Sequence, residues 1–261
     1  MEAFTKCSGC GKILYSVEFE QNDRVCLHCG KHHRLGARRR IEITFDPGSF
    51  EEHDADVASS DPLCFPQYKE KYESAMAKTG MKEGVLSGVA SIDGNEASVA
   101  VADFSFMGGS MGNAVGEKIA RTLDRACQLR IPCIVFCSSG GARMQEGLFS
   151  LMTLPKTTAS VHRCRESGIP YISVFTDPTM AGVLASYASI ADVILAEPGA
   201  MVGFAGMRVS KQAGVSKVPD DFQTSEFAFR SGMIDKIVHR KEIRPVLSVL
   251  LKSLGAKCYA G

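Results

Sequence analysis

The chain has 261 residues, enough for one large core with a small appended unit. Its 45% apolar and 23% charged content fits a globular protein in water. A net charge of +1 excludes a globally basic nucleic-acid binder or an acidic tail, and no apolar run reaches the roughly 18 residues of a membrane span. The start, Met1-Glu2-Ala3-Phe4, lacks the apolar stretch of a signal peptide. Ten cysteines without such a signal point to a reducing, cytoplasmic setting, where cysteine pairs more often bind metal than form disulfides.

The first unit covers residues 1–33. Cys7-x-x-Cys10 and Cys26-x-x-Cys29 stand 15 residues apart, the spacing of a zinc ribbon. Gly11 and Gly30 follow the two pairs and suit tight turns around a metal. Four thiolates fill a tetrahedral Zn²⁺ shell and leave no position for water, so the site is structural. His28, His32 and His33 are then spare and expected to be exposed. Arg38-Arg39-Arg40 reads as a solvated helix face or a surface for an acidic subunit. Nucleic-acid binding beside the ribbon is the alternative.

Residues 34–84 read as a connecting region, with a turn at Asp46-Pro47-Gly48-Ser49 and a charged helix over 67–79. From 85 to 261 the texture is that of a main domain. Two alternating strands flank a hairpin turn at Asp93-Gly94-Asn95. A helix over 113–129 buries Ala114, Ile119, Ala120 and Leu123. Strands open after Pro132 and Pro170 and again near Val193, with helices expected over 143–167 and 181–190. Cys64, Cys127, Cys133, Cys137, Cys164 and Cys258 show no metal spacing and read mostly as inert core thiols.

Three strand-to-helix turns are made of small residues: Phe106-Met107-Gly108-Gly109-Ser110-Met111-Gly112, Ser138-Ser139-Gly140-Gly141-Ala142-Arg143 and Thr179-Met180-Ala181-Gly182. Such turns bring bare backbone N–H groups close to a ligand and stabilise negative charge without a charged side chain. The P-loop pattern is absent, so no ATP site is evident, and no biotin-attachment segment is present. Gly108-Gly109-Ser110-Met111-Gly112 also matches the G-x-S-x-G elbow of serine hydrolases, with Asp177 or Asp235 and His239 as partners for Ser110. That reading leaves the other two turns unexplained. Enolate chemistry next to a thioester carbonyl uses all three.

These stretches resemble the β-subunit family of bacterial-type acetyl-CoA carboxylase carboxyltransferases. The likeness runs from Thr5-Lys6-Cys7-Ser8-Gly9-Cys10-Gly11 through Ser138–Gly147, Asp177-Pro178-Thr179, Ala196-Glu197-Pro198 and Gly203–Gly206 to Asp235–Arg240. The resemblance implies an α/β crotonase-like fold, a spiral of ββα units with the zinc ribbon outside. It implies transfer of a carboxyl group from carboxybiotin to acetyl-CoA, giving malonyl-CoA for fatty-acid synthesis. The implied partners are an α subunit in an α2β2 assembly, a biotin carboxylase and a biotin carboxyl carrier protein that supplies the biotin. On this likeness Gly140, Gly141, Ala181 and Gly182 become backbone oxyanion donors. Gly108, Gly109, Gly203, Gly206 and Arg208 line the substrate site, and Arg143 braces its loop or meets CoA phosphates. Met180, Ala181 and Met207 depart from the family pattern, which has threonine, glycine and proline there. The departures suggest a specialised copy with a shifted acyl-CoA preference or inhibitor response.

Overall fold

The structure, a computed structural model, describes residues 3–205 and 218–255. Its N-terminal unit is a hairpin of β1 (Phe4–Lys6) and β2 (Ile13–Tyr15), followed by α1 (Ser16–Gln21). The two cysteine turns are built alike. Gly11 and Gly30 hold φ near +73° and +71° and donate their N–H groups to the Cys7 and Cys26 carbonyls, each at 2.9 Å. Positive φ explains glycine at both places.

The segment expected to connect the units is part of the main domain. Within it, α2 (Ala37–Thr44) packs on the sheet, β3 (Glu51–His53) is its edge strand, and α3 (Tyr68–Thr79) borders the cleft described below. β4 (Val85–Ile92) and β5 (Asn95–Ala102) form the expected hairpin. Its two-residue loop, Asp93-Gly94, has positive φ at both positions, as the right-handed twist of hairpins favours.

After α4 (Asn113–Leu129) come β6 (Cys133–Ser139), α5 (Leu148–Leu151), α6 (Thr153–Glu166), β7 (Tyr171–Met180) and α7 (Ala181–Leu184). β8 (Val193–Ala196), β9 (Val202–Gly203), α8 (Ser225–Arg230), β10 (Lys236–Ile237) and α9 (Ile243–Gly255) complete the described chain. The sheet order is β10-β8-β7-β6-β5-β4-β3, parallel from β5 to β10. One apolar core lies under α4 and α6; the other lies under α2 and α9. β6 is buried along its whole length, as a central parallel strand requires.

Two expected helices are shorter than their periodicity suggests. The stretch 143–167 breaks at Gly147, whose φ is +53°, into a 3₁₀ turn, α5 and α6. The stretch 181–190 reduces to α7 and a 3₁₀ turn at Ala188–Ile190. In exchange β7 runs on to Met180. Past a register shift between Cys137 and Ser139, the strand ends pair again: Ser139 with Thr179, Thr179 with Val202, and Met111 with Ala142. The three small-residue turns sit on this second, smaller layer. The cysteines divide as well. Cys133, Cys137 and Cys164 are buried core thiols, burial pushing Cys137 up to about 12, while Cys64 is exposed.

Candidate active site

The turns occupy the C-terminal ends of β5, β6 and β7, where open α/β sheets hold ligands. They touch one another. Gly140 donates its N–H to the Gly108 carbonyl at 3.0 Å. A Cβ on Gly109, at φ +61°, would lie 2.1 Å from the Ser138 carbonyl oxygen. A Cβ on Gly141 would lie 2.7 Å from Ala181 Cβ. Any side chain at these two glycines would force the turns apart.

This packing corrects the donor assignment. The Gly140 N–H is spent on Gly108, and the Gly141 N–H donates to Ser139 Oγ at 3.0 Å. Both glycines build the site; neither offers it a free donor. Gly109 is buried against β6 in the same way. The next residue, Ala142, has an N–H without an acceptor among the described residues. Ala142 borders a cleft of about 810 Å³, together with Gly108, Ser110, Gly140, Gly141 and the exposed face of α3. Gly182 stands beside it, since a Cβ there would lie 3.7 Å from Ala142 Cβ.

Arg143 is the brace, and its guanidinium is fully buried. It grips Glu83 with two bonds of 2.6 and 2.9 Å and reaches Glu146 at 3.2 Å. It also donates to Ser110 Oγ at 3.0 Å and to the Ser110 carbonyl at 2.8 Å, tying the second turn to the first. Burial opposes the charge on Arg143, and the Glu83 carboxylate more than restores it. Tyr68 on α3 donates to Glu146; burial and that bond both push its hydroxyl above the ordinary range. A side chain with no exposed surface cannot meet CoA phosphates, so of its two expected roles Arg143 takes the structural one. Sequence reasoning missed its partners Glu83, Glu146 and Tyr68. Glu146 lies in the quoted Ser138–Gly147 stretch, but only the fold brings Glu83 and Tyr68 to it.

The hydrolase constellation does not form. Ser110 Oγ serves Arg143, and Asp177 pairs with Arg34 and accepts from the Met201 N–H. Asp235 accepts from the Ile194 N–H. His239 stacks edge-on against His32, beside the ribbon. Gly203 pairs with Met180 across β9 and β7, behind the third turn, with the Gln223 side chain packed against it. Gly206, Met207 and Arg208 lie outside the described residues.

Residues 31–242 match the family model described as the carboxyl transferase domain. The acetyl-coenzyme A carboxylase carboxyl transferase subunit beta of Clostridium kluyveri is 47% identical over 95% of this chain and 85% of its own. The same subunit of Clostridium novyi is 47% identical over 95% of this chain and 87% of its own. The chain belongs to the carboxyl transferase family. A solved transcarboxylase 12S structure, with methylmalonyl-coenzyme A and methylmalonic acid bound, aligns over 84% of this chain at a TM-score of 0.71 and 27% identity. This chain spans only 41% of that one. The crotonase-like α/β fold of the family is thus the fold described above.

In this carboxyl transferase the four ribbon thiols converge. Their sulfurs all lie within 4.8 Å of one another, with Cys7–Cys29 at 3.7 Å and Cys10–Cys26 at 3.9 Å. Zn–S bonds of about 2.3 Å in a tetrahedron place sulfurs about 3.8 Å apart, so the donor set fits zinc. His28 is exposed as expected, but His32 is buried. It lies 3.5 Å from Glu197, without a hydrogen bond. Nor is the arginine run one solvated face. Arg39 pairs with Asp23 and Glu42, whereas Arg40 is buried and bonds Glu197 at 2.7 Å. Arg240 bonds the same carboxylate and the His33 carbonyl, so Glu197 joins ribbon, α2, β8 and the segment after β10.

Ala181 carries a conformation that suits glycine, with φ at +49°. A β-carbon there costs about 1 kcal/mol. Ala181→Gly is expected to raise the melting temperature by about 2–4 °C. A fall on thermal melting would mean that the methyl contact with the second turn outweighs the backbone strain.

Proposed function

We propose that this chain is the β subunit of a biotin-dependent acetyl-CoA carboxylase. In this reading it transfers a carboxyl group from a carboxylated biotin carrier to acetyl-CoA, forming malonyl-CoA. One observation carries it: three interlocked turns leave the Ala142 N–H without an acceptor among the described residues, at the border of a large cleft. The titratable side chains bordering that cleft, Glu70, Lys71 and Lys78, all stand on α3, and none belongs to the turns themselves.

A backbone donor without a neighbouring side-chain base suits a reaction in which the protein holds a carbonyl oxygen as it gains charge. The Ala142 N–H takes the thioester oxygen, with the Ala181–Gly182 turn closing the other side. One such donor contributes about 2.7–4 kcal/mol to the transition state. The glycine contacts hold the turns rigid, so the donor is already placed when charge develops. Biotin, presented by its carrier, supplies the carboxyl group. Zinc held by Cys7, Cys10, Cys26 and Cys29 is structural, since four thiolates saturate it. Metal analysis then finds one zinc per chain, lost on chelation together with the ribbon fold.

The second turn leads into an exposed apolar strip of Met144, Leu148, Phe149, Leu151 and Met152. This strip is the face for the α subunit, in an α2β2 assembly working with a biotin carboxylase. Mixing the chain with an α subunit and carboxylated carrier tests both claims. Malonyl-CoA is expected only from the mixture, with acetyl-CoA preferred over propionyl-CoA. Leu148→Asp is expected to abolish association on gel filtration. An inactive but properly assembled mixture would rule out the proposed reaction.

A further inference from the structure

We propose that the exposed face of α3 is a phosphate clamp, in which Lys71 and Lys78 bind the nucleotide end of the coenzyme A thioester. The proposal deepens the reading above and rests on it. Lys71, Ser74 and Lys78 all border the cleft, together with Gly108 and Ser110 of the first turn and Gly140, Gly141 and Ala142 of the second. Lys71 and Lys78 are seven residues apart, two helical turns, so they project on one face about 10 Å apart along the axis.

Their neighbours are neutralised and they are not. Lys69 pairs with Glu73, and Lys82 with Asp56. Lys71 and Lys78 have no ion pair among the described residues. Glu70 is the single acid bordering the same cleft, which leaves this wall of the cleft net positive. A wall of that kind would be idle in a site for an acetyl group alone. Coenzyme A carries a diphosphate and a 3′-phosphate at the far end of its pantetheine arm, remote from the thioester. With the thioester at Ala142, the arm has a cleft to follow and the phosphates have two flexible ammonium groups to meet.

The fixing of α3 supports this role. Tyr68, at its first turn, is buried against Glu146 and Arg143, the network that also holds Ser110. Floor and wall therefore keep a fixed relation. The lysines bind before and during the reaction alike, so their loss is expected in KM and not in kcat.

The test uses the assembled carboxyltransferase with Lys71→Gln, Lys78→Gln and the double variant. Acetyl-CoA is compared with acetyl-pantetheine, which has the thioester and arm but no nucleotide. Equilibrium binding of coenzyme A and of pantetheine is measured alongside. The double variant is expected to raise KM for acetyl-CoA about tenfold or more, the scale of losing charge-assisted hydrogen bonds, with kcat held within about twofold. Its KM for acetyl-pantetheine is expected to match the unmodified enzyme. Added salt is expected to weaken coenzyme A binding in the unmodified enzyme and much less in the double variant. An equal KM rise for both substrates, or none for acetyl-CoA, overturns the clamp. Binding that depends on both lysines, in an assembled enzyme that does not carboxylate acetyl-CoA, upholds the clamp and overturns the assigned reaction.

Discussion

Arg143→Met is expected to lower the melting temperature by about 10 °C and kcat by about a hundredfold or more. The stability loss follows from what remains behind. Glu83 and Glu146 are both about 1% exposed, and each would keep a buried carboxylate without its cation. Breaking one side of a buried pair typically costs about 3–5 kcal/mol. The activity loss has a separate origin. Arg143 is the strut between the second turn and Ser110 of the first, through two bonds of 3.0 and 2.8 Å. Without it the turn beside Ala142 loses its anchor, and a misplacement of about 1 Å is enough for a hundredfold effect. Arg143→Lys separates the two origins. It keeps the charge but loses the two-pronged grip on Glu83, so stability is expected to recover more than kcat. Thermal melting and carboxyl-transfer kinetics on the three proteins check this. Unchanged kcat in Arg143→Met would show that Ser110 needs no strut.

Glu197→Gln is expected to cost about 3–5 kcal/mol and to free the ribbon from the core. The carboxylate serves Arg40 at 2.7 Å and Arg240 at 2.8 Å, both buried, and an amide cannot neutralise either one. Burial by itself would raise the pKa of Glu197; the Arg40 and Arg240 guanidinium groups more than reverse this and hold it well below the carboxylate range. A depressed pKa gives the sign of the pH dependence. The stabilisation is complete above the unfolded value, near about 4.3, and fades as pH falls through the folded one. The gap between the two proteins is therefore expected to be constant near neutrality and to narrow below about pH 4. Urea melts across that range test it. Limited proteolysis of the variant is expected to cut between the ribbon and α2, where the intact cluster protects. A gap independent of pH down to about 2 would mean that Glu197 is not the charged hub.

The chemistry-bearing turns were legible because each is a local pattern: an apolar strand, paired small residues, then a helix start. The metal set was legible for the same reason, since two short spacings and two glycines carry it. The N–H bookkeeping was not. Gly140 and Gly141 look like donors until their acceptors are known, and those acceptors, Gly108 and Ser139, depend on how β6 bends beside the first turn. Arg38-Arg39-Arg40 failed for a related reason. Three like residues in a row share composition, yet helical rotation sends only Arg40 inward to Glu197. The break at Gly147 likewise hid inside an otherwise helical composition.

By itself, then, the sequence determined the ribbon, the strand-turn-helix repeats and the family, because these depend on spacing along the chain. Tertiary structure alone decided where the Gly140 and Gly141 N–H groups are spent, which arginine braces and which helix faces the cleft. The bracing contacts come from far along the chain, Glu83 for Arg143 and Glu197 for Arg40. The three small-residue turns stand out along the chain; only the fold shows that Gly140 and Gly141 spend their N–H groups within them, on Gly108 and Ser139.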